Sequence, residues 1–118
     1  MNIVLLSVAR IVAKLFMRLC WIFPIKKNKI VFESYFGSKY NDSPRAISEE
    51  LAKNRGLEIV WILEDGIPHP NYIKTVRPMT FASLYQLATA KIWVDNCRKK
   101  IYITKRKKQF YIQTWHGG

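Results

Sequence analysis

The chain has 118 residues, of which 49% are apolar and 24% are charged, so it is long enough for one globular domain and too apolar to be disordered. Twenty lysines and arginines against eight aspartates and glutamates give a net charge of +12, which favours an anionic partner such as a lipid surface or a phosphate-rich substrate. The two cysteines and two histidines are scattered, so the sequence predicts no metal site and a reducing, cytoplasmic setting.

The N-terminal segment, residues 1–27, is apolar and contains cations but no acid. It predicts a helix that ends near Pro24, with cations recurring every four residues along one face. These cations interrupt any stretch long enough to span a bilayer, and no signal-peptide cleavage pattern follows. We therefore expect an amphipathic, basic helix at the membrane interface; a helix packed on the domain with a solvated basic face is the alternative. The cations expected at the membrane are Arg10, Lys14, Arg18, Lys26 and Lys27, with Lys29 beside them.

Strand and helix patterns alternate from residue 28 to residue 118. Such alternation predicts an α/β domain with a parallel sheet, right-handed crossovers and helices on its faces. The predicted strands are 29–33, 58–63, 73–76, 91–95 and 109–114, with 101–104 as a candidate short strand. The predicted helices are 44–54, capped by Ser43, and 80–88, capped by Thr80.

Three polar loops, 34–42, 96–98 and 115–118, follow predicted strands directly. Parallel strands would bring these loops to the carboxyl edge of the sheet, where ligands bind in open α/β folds. The predicted helix at Pro44 would open at the same edge and favour an anion there.

Several residues of these loops suit a phosphate-bearing ligand. Arg45 offers a fork of donors that matches phosphate, and Gly37 would let the backbone approach a ligand. Taken singly, each residue has an ordinary alternative: a turn glycine, a helix cap or a solvated arginine. The candidate acceptor- or phosphate-binding residues are Gly37, Asn41, Ser43, Arg45, Asn96, Arg98 and Gly117.

His116 follows the last predicted strand and precedes two glycines. This position would place an imidazole at the carboxyl edge beside open backbone, although an ordinary loop histidine is the alternative. Upstream, a second basic cluster spans residues 98–108 and is interrupted by apolar residues. No zinc-finger spacing or RNA-binding strand motif accompanies it, so we expect no nucleic-acid partner.

Four segments carry a family resemblance, and they occur in the order Phe32–Gly37, Tyr40–Ile47, Leu84–Lys91 and Tyr111–Gly117. Together they resemble the CDP-glycerol glycerophosphotransferase family of teichoic acid biosynthesis. The resemblance implies a GT-B-like architecture of two Rossmann-type domains, with residues 28–118 as the acceptor-side domain, truncated after the Trp-His-Gly motif. Gly118 departs from the family pattern, in which many members have Thr.

The resemblance also implies a function. The complete enzyme would transfer glycerol phosphate from CDP-glycerol to a lipid-linked teichoic acid or related acceptor, at the cytoplasmic face of the cell membrane as a peripheral protein. His116 matches the family's first essential histidine and would be the general base. The implied partners are anionic lipid, the polymer acceptor and CDP-glycerol, the last bound by a C-terminal half beyond this chain, with no cofactor in the chain itself. A non-enzymatic basic membrane module that kept the fold is the alternative.

Overall fold

The structure is a computed structural model that describes residues 3–99 and 103–115. Its strands are β1 (Lys26–Glu33), β2 (Glu58–Ile62), β3 (Lys74–Val76), β4 (Ala90–Asp95) and β5 (Phe110–Gln113). Its helices are α1 (Ile3–Leu19), α2 (Asp42–Leu51) and α3 (Phe81–Thr89), with 3-10 turns at Cys20–Ile22 and Tyr35–Gly37. The strands form one five-stranded sheet in the order β3-β2-β1-β4-β5, and every neighbouring pair is parallel. The predicted α/β class and parallel sheet are therefore confirmed.

The sheet is covered on both faces because its central strands are apolar on both sides. On one face, Val31 of β1 pairs with Val60 and Trp93 and packs with residues of α1 and α3. On the opposite face, Phe32 and Trp61 stack with ring centroids 5.5 Å apart, in a cluster that includes residues of α2.

The structure confirms the predicted start of α3 but not that of α2. Thr80 caps α3 as expected, and its side chain and that of Ser83 form a reciprocal capping box. Helix α2 begins at Asp42 rather than at Pro44, and its cap is Asn41, so the prediction of Ser43 as the cap was wrong. In the structure Asn41 has extended backbone, and its carbonyl accepts the first helical hydrogen bond from the Arg45 N–H.

The first strand starts earlier than predicted. Lys26 and Lys27, expected in the membrane segment, lie in β1, where both are exposed. Of the candidate strand at 101–104, residues 103 and 104 are not in a strand, and residues 101 and 102 lie outside the described part of the chain.

Helix α1 packs against the domain through its C-terminal third. Met17 of α1 and Cys20 of the following turn are buried in the cluster that includes α3. Arg106 stabilises the contact between the end of α1 and α3. Its Nη1 donates hydrogen bonds to the carbonyls of Phe23 and Ala88 at 2.7 and 3.1 Å, and its Nη2 donates to the carbonyl of Trp21 at 2.9 Å.

Candidate functional site

The loops after β1 and β4 meet at the carboxyl edge of the sheet, around the side chain of Asn96. This side chain is fully buried, and its Oδ1 accepts a hydrogen bond from the backbone N–H of Tyr35 at 2.9 Å. Its Nδ2 donates to Ser34 Oγ at 2.9 Å and to Asp42 Oδ2 at 3.1 Å. Ser34 Oγ in turn donates to Asn41 Oδ1 at 2.8 Å. The structure thus brings together Asn41 and Asn96, two of the candidate binding residues.

The loop between β1 and α2 holds an unusual backbone. Tyr35, Phe36 and Asp42 all have positive φ, at 49°, 58° and 62°, a conformation that costs a residue with a side chain roughly 1–2 kcal/mol. Such conformations persist only where surrounding contacts fix them, and they cluster at functional sites. The Asn96 hydrogen bonds supply contacts of this kind.

Gly37 lies in the same loop, and its conformation has a packing explanation. Its φ is +87°, and a Cβ atom at this position would stand 3.0 Å from the Cγ of Pro78. A side chain at position 37 would therefore be strained by the positive φ and crowded by Pro78, a contact that the sequence pattern did not reveal.

A buried ion cluster, formed by Lys99, Glu33 and Asp95, lies at the ends of β1 and β4. Lys99 Nζ contacts the Glu33 carboxylate and lies 2.9 Å from Asp95 Oδ2. Burial alone would lower the pKa of Lys99, but the two carboxylates outweigh it and raise that pKa.

Sequence reasoning missed this cluster, because it counted Lys99 only as a member of the basic cluster of residues 98–108. A signal was present: Glu33 follows the apolar run 30–32 at the end of β1, and Asp95 follows the apolar run 92–94 at the end of β4. An acid at such a position in two neighbouring strands predicts a shared cation, because buried charges are rarely left unpaired.

The end of β5 is fixed beside the end of β4. The N–H of Thr114 donates to the Asp95 carbonyl at 2.9 Å, and the Tyr111 hydroxyl donates to the Cys97 carbonyl at 3.1 Å. His116 and Gly117, the expected catalytic and binding residues that follow this strand, lie outside the described residues. Arg98, a further candidate, is exposed in the loop after β4.

Arg45 lies on the exposed face of α2 beside a groove of about 640 Å³. Its Nε donates to Glu49 Oε2 at 3.1 Å, and its guanidinium lies over the Tyr40 ring, 5.1 Å from the centroid. A guanidinium has five N–H donors, so the contact with Glu49 leaves others for a ligand. The groove is lined by residues that include Lys39, Tyr40, Asn41, Arg45, Glu49 and His69.

The start of α2 is less favourable to an anion than the sequence suggested. Asp42 places a carboxylate in the first turn, where it already interacts with the positive end of the helix dipole. Ser43 is exposed in the same turn. Any phosphate bound here would have to depend on Arg45 and Lys39 more than on the helix N-terminus.

Lys29 is buried beneath α3, although the sequence grouped it with the membrane cations. Its Nζ donates to Gln86 Oε1 at 2.8 Å and to Thr89 Oγ1. Burial lowers the pKa of Lys29 to about 8.

Within the described residues, no group of three or more His, Cys, Asp or Glu is arranged to hold a metal ion.

The surface of α1 divides into three sectors, because residues three or four positions apart lie on the same side of a helix with 3.6 residues per turn. Ala13, Phe16 and Met17 pack against the domain, and the neighbouring sector carries the cations Arg10, Lys14 and Arg18, all exposed. The third sector is apolar and exposed; its members include Val4, Val8, Ile11, Val12, Leu15 and Leu19. Across residues 3–99 and 103–115, no helix has both the length and the hydropathy to cross a bilayer.

Comparison with known proteins identifies relatives over most of the chain. Residues 15–118 match the sequence profile of the family described as CDP-Glycerol:Poly(glycerophosphate) glycerophosphotransferase. A teichoic acid poly(glycerol phosphate) polymerase of Bacillus spizizenii is 32% identical over 106 residues, which cover 85% of this chain and 27% of the relative. A teichoic acid glycerol-phosphate transferase of Staphylococcus aureus is 31% identical over 94 residues, which cover 77% of this chain and 24% of the relative.

Solved structures give the same result for the fold. A structure of the wall teichoic acid polymerase TagF soaked with CDPG superposes with a TM-score of 0.80 and 30% identity, covering 98% of this chain and 31% of that protein. A second TagF structure gives a TM-score of 0.79 and 31% identity. The chain therefore spans about a quarter of these curated relatives and about a third of the solved polymerase. It belongs to the CDP-glycerol:poly(glycerophosphate) glycerophosphotransferase family.

Proposed function

We propose that this chain is the acceptor-side part of a membrane-associated transferase that moves glycerol phosphate from CDP-glycerol to a lipid-linked teichoic acid or related polymer. One observation carries the proposal: the 34–42 loop, Asn96 and the end of β5 meet at a single sheet edge, in a chain that superposes on TagF with a TM-score of 0.80. A GT-B-like partner domain, outside this chain, would bind the CDP-glycerol.

His116 is the proposed general base. It would take the proton of the acceptor hydroxyl while the oxygen forms a bond to the phosphorus that carries glycerol, and the bond from that phosphorus to the CMP oxygen would break. Histidine suits this step because its ordinary pKa lies near physiological pH. Thr114, two residues before His116 in the sequence, is held to β4 by the hydrogen bond that its N–H donates to the Asp95 carbonyl.

The acceptor phosphate is proposed to lie along the groove beside α2. Arg45 and Lys39 line this groove and outnumber the single acid, Glu49. The strained loop and its Asn96 hydrogen bonds would keep the groove wall fixed, so that little freedom is lost when an acceptor binds.

The N-terminal helix is proposed to hold the enzyme peripherally on the cytoplasmic face of the membrane. The exposed apolar sector of α1 would enter the interface, and the cations Arg10, Lys14 and Arg18 would meet anionic headgroups. Lys26 and Lys27 are exposed at the start of β1 and could add to this attraction. Binding to vesicles of phosphatidylcholine and phosphatidylglycerol should weaken as salt rises and should be lost when residues 1–24 are removed.

The deciding experiment uses the complete protein. His116→Ala should lower turnover by about 10²–10⁴-fold, as expected for loss of a general base, and should leave CDP-glycerol affinity unchanged. Near-full turnover in this variant would exclude the general-base role, and a loss of donor affinity with turnover intact would make His116 a phosphate ligand instead.

The acceptor groove has its own test in the complete protein. Arg45→Ala should raise the acceptor KM by roughly tenfold or more, because a charged hydrogen bond contributes about 1.5–3 kcal/mol. Arg55→Ala, which removes an exposed cation just beyond α2, is the matched control and should leave the acceptor KM unchanged. Equal effects of the two substitutions would leave Arg45 as general surface charge.

A further inference from the structure

His69 lies within the described part of the chain, and neither the fold nor the proposed chemistry yet accounts for it. It belongs to the connection between β2 and β3, and it lines the groove of about 640 Å³ beside α2 together with Lys39 and Arg45. From the sequence it is one of two scattered histidines. The structure thus brings a third side chain that can carry positive charge to the groove proposed for the acceptor phosphate.

The two ring nitrogens of His69 have different surroundings. Nδ1 lies 2.8 Å from the carbonyl oxygen of Pro70, and because a carbonyl can only accept, Nδ1 carries the hydrogen of this bond. In the neutral ring Nε2 therefore has no hydrogen and can only accept, whereas in the protonated ring it becomes a charged N–H donor. None of the described residues forms a hydrogen bond with Nε2. Protonation would thus create a donor that has no partner within the described chain.

The other wall of the groove, formed by the 38–41 loop and α2, contributes Lys39, Arg45 and Glu49 as its charged groups. The Glu49 carboxylate is already engaged, since its Oε2 accepts hydrogen bonds from Arg45 Nε at 3.1 Å and from the Tyr40 hydroxyl at 3.2 Å. Burial raises the pKa of Tyr40, so this hydroxyl stays an uncharged donor. With His69 protonated, the lining carries three cations against one acid.

The connection that carries His69 supplies no competing partner in the groove. Its acids, Glu64 and Asp65, are exposed and lie outside the lining, and Asp65 pairs with Arg77 at 3.4 Å. Tyr72 is the remaining titratable side chain of this connection. The charges around His69 therefore favour an anion that enters the groove from outside the chain.

We propose that protonated His69 binds a phosphodiester group of the acceptor through its Nε2–H, in the groove that Arg45 and Lys39 also line. The inference rests on the proposed function and deepens it, because it adds a pH-dependent contact to acceptor recognition. Histidine side chains commonly gain a proton between pH 8 and pH 5, whereas arginine and lysine ordinarily keep their charge there. Acceptor affinity therefore rises as the pH falls, and by reciprocity a bound acceptor raises the proton affinity of His69 by the same factor.

The test measures binding of glycerophosphoglycerol to the 118-residue chain by calorimetry at pH 6 and pH 8. This probe is a phosphodiester and keeps one negative charge at both values, unlike a phosphate monoester, which gains a proton near pH 6. The dissociation constant should be about fivefold lower at pH 6, the upper range for a solvent-exposed charge pair. Equal dissociation constants at the two pH values would overturn the proposal.

Two substitutions isolate the contribution of His69. His69→Gln keeps a polar side chain that gains no charge, so its dissociation constants should be equal at the two pH values and match that of the natural chain at pH 8. His69→Arg is charged throughout and should bind the probe tightly at both. Lys74→Gln removes an exposed cation of β3 outside the groove and, as the matched control, should preserve the pH dependence. A pH dependence that survives in His69→Gln would overturn the proposal, because another group would then be its source.

A second measurement observes the imidazole directly. Proton NMR can follow the Cε1–H signal of His69, which is identified by its absence from His69→Gln. Saturating glycerophosphoglycerol should raise the titration midpoint of this signal by about 0.7 pH unit, the logarithm of a fivefold ratio of affinities. A midpoint that does not move would overturn the proposal even if a substitution altered the fold.

Further outcomes separate this inference from the proposed function. Weaker probe binding by Arg45→Ala, with the pH dependence intact in His69→Gln, would leave the acceptor groove standing and remove only the role of His69. Absence of probe binding to the natural chain would remove both. Vesicles of phosphatidylcholine and phosphatidylglycerol present the same phosphodiester as a lipid headgroup, and at pH 6 they should bind His69→Gln as well as the natural chain. Weaker vesicle binding by His69→Gln would assign His69 to the membrane and overturn its role at the acceptor.

Discussion

Replacement of Lys99 by methionine should be among the most damaging single changes at the carboxyl edge. The Lys99 side chain is 7% exposed, and its partners Glu33 and Asp95 are 12% and 3% exposed. Methionine keeps most of the side-chain length but removes the ammonium that the buried Glu33 and Asp95 carboxylates share. Breaking a buried pair from one side costs about 3–5 kcal/mol. We therefore expect Lys99→Met to lower the free energy of unfolding by about that amount at pH 7.

Urea denaturation followed by far-UV circular dichroism measures this effect. With a slope of about 1–3 kcal/mol per molar urea, the midpoint should fall by at least about 1 M. The deficit should persist up to about pH 10.5 and shrink as the pH rises through the raised pKa of Lys99, because the natural protein then loses the ammonium as well. Lys53→Met is the control: Lys53 pairs with Glu50 at the surface, both more than 70% exposed, and such pairs contribute little. A loss below about 1 kcal/mol for Lys99→Met, without pH dependence, would refute the reasoning.

Three further substitutions test other parts of the fold. Burial lowers the pKa of Lys29 to about 8, so between pH 8 and about 10.5 this amine is protonated in the unfolded chain and largely neutral in the folded one. The stability of the natural protein relative to Lys29→Met should therefore rise with pH across that window, by about 3 kcal/mol at most. A difference that stays flat in urea titrations at several pH values would contradict a buried, titrating amine. Arg106→Ala should lower stability by about 2–3 kcal/mol and speed hydrogen exchange at the end of α1, whereas unchanged exchange would show that this junction does not depend on the arginine. Gly37→Ala should be about 1 kcal/mol more destabilising than Gly66→Ala in thermal melts, because both glycines have φ near +85° but only Gly37 meets Pro78; equal losses would mean that Pro78 moves aside.

The architecture was readable from the sequence because it depends on local patterns. The continuous apolar run of Ile59–Leu63 is typical of a strand buried on both faces, and β2, which was predicted at residues 58–63, is such a strand. Thr80 predicted the start of α3 because a capping residue acts on its own helix, through bonds three residues away. The parallel sheet then brings the loops after β1 and β4 to one edge, as these alternating elements require.

The details of the site depend on contacts between distant residues, which a linear pattern does not display. Lys99 reaches Glu33 across 66 positions, so its cluster looks like a surface charge run until β1 and β4 are paired. The start of α2 depends on Asn96, whose amide contacts Asp42 across 54 positions. Arg106 reads as one more cation, yet its partners are carbonyls near the end of α1 and on α3.

The central place of β1 has a consequence for synthesis. Strand β2 ends at Ile62 and β4 begins only at Ala90, so on the ribosome one edge of β1 can pair well before its other neighbour has emerged. An open, apolar strand edge invites pairing with other chains, and charged residues, including inward-pointing ones, oppose it. Lysines stand at positions 26, 27 and 29 of this strand. We expect these charges to oppose aggregation of the nascent chain during that interval, with Lys29 contributing until α3 covers it.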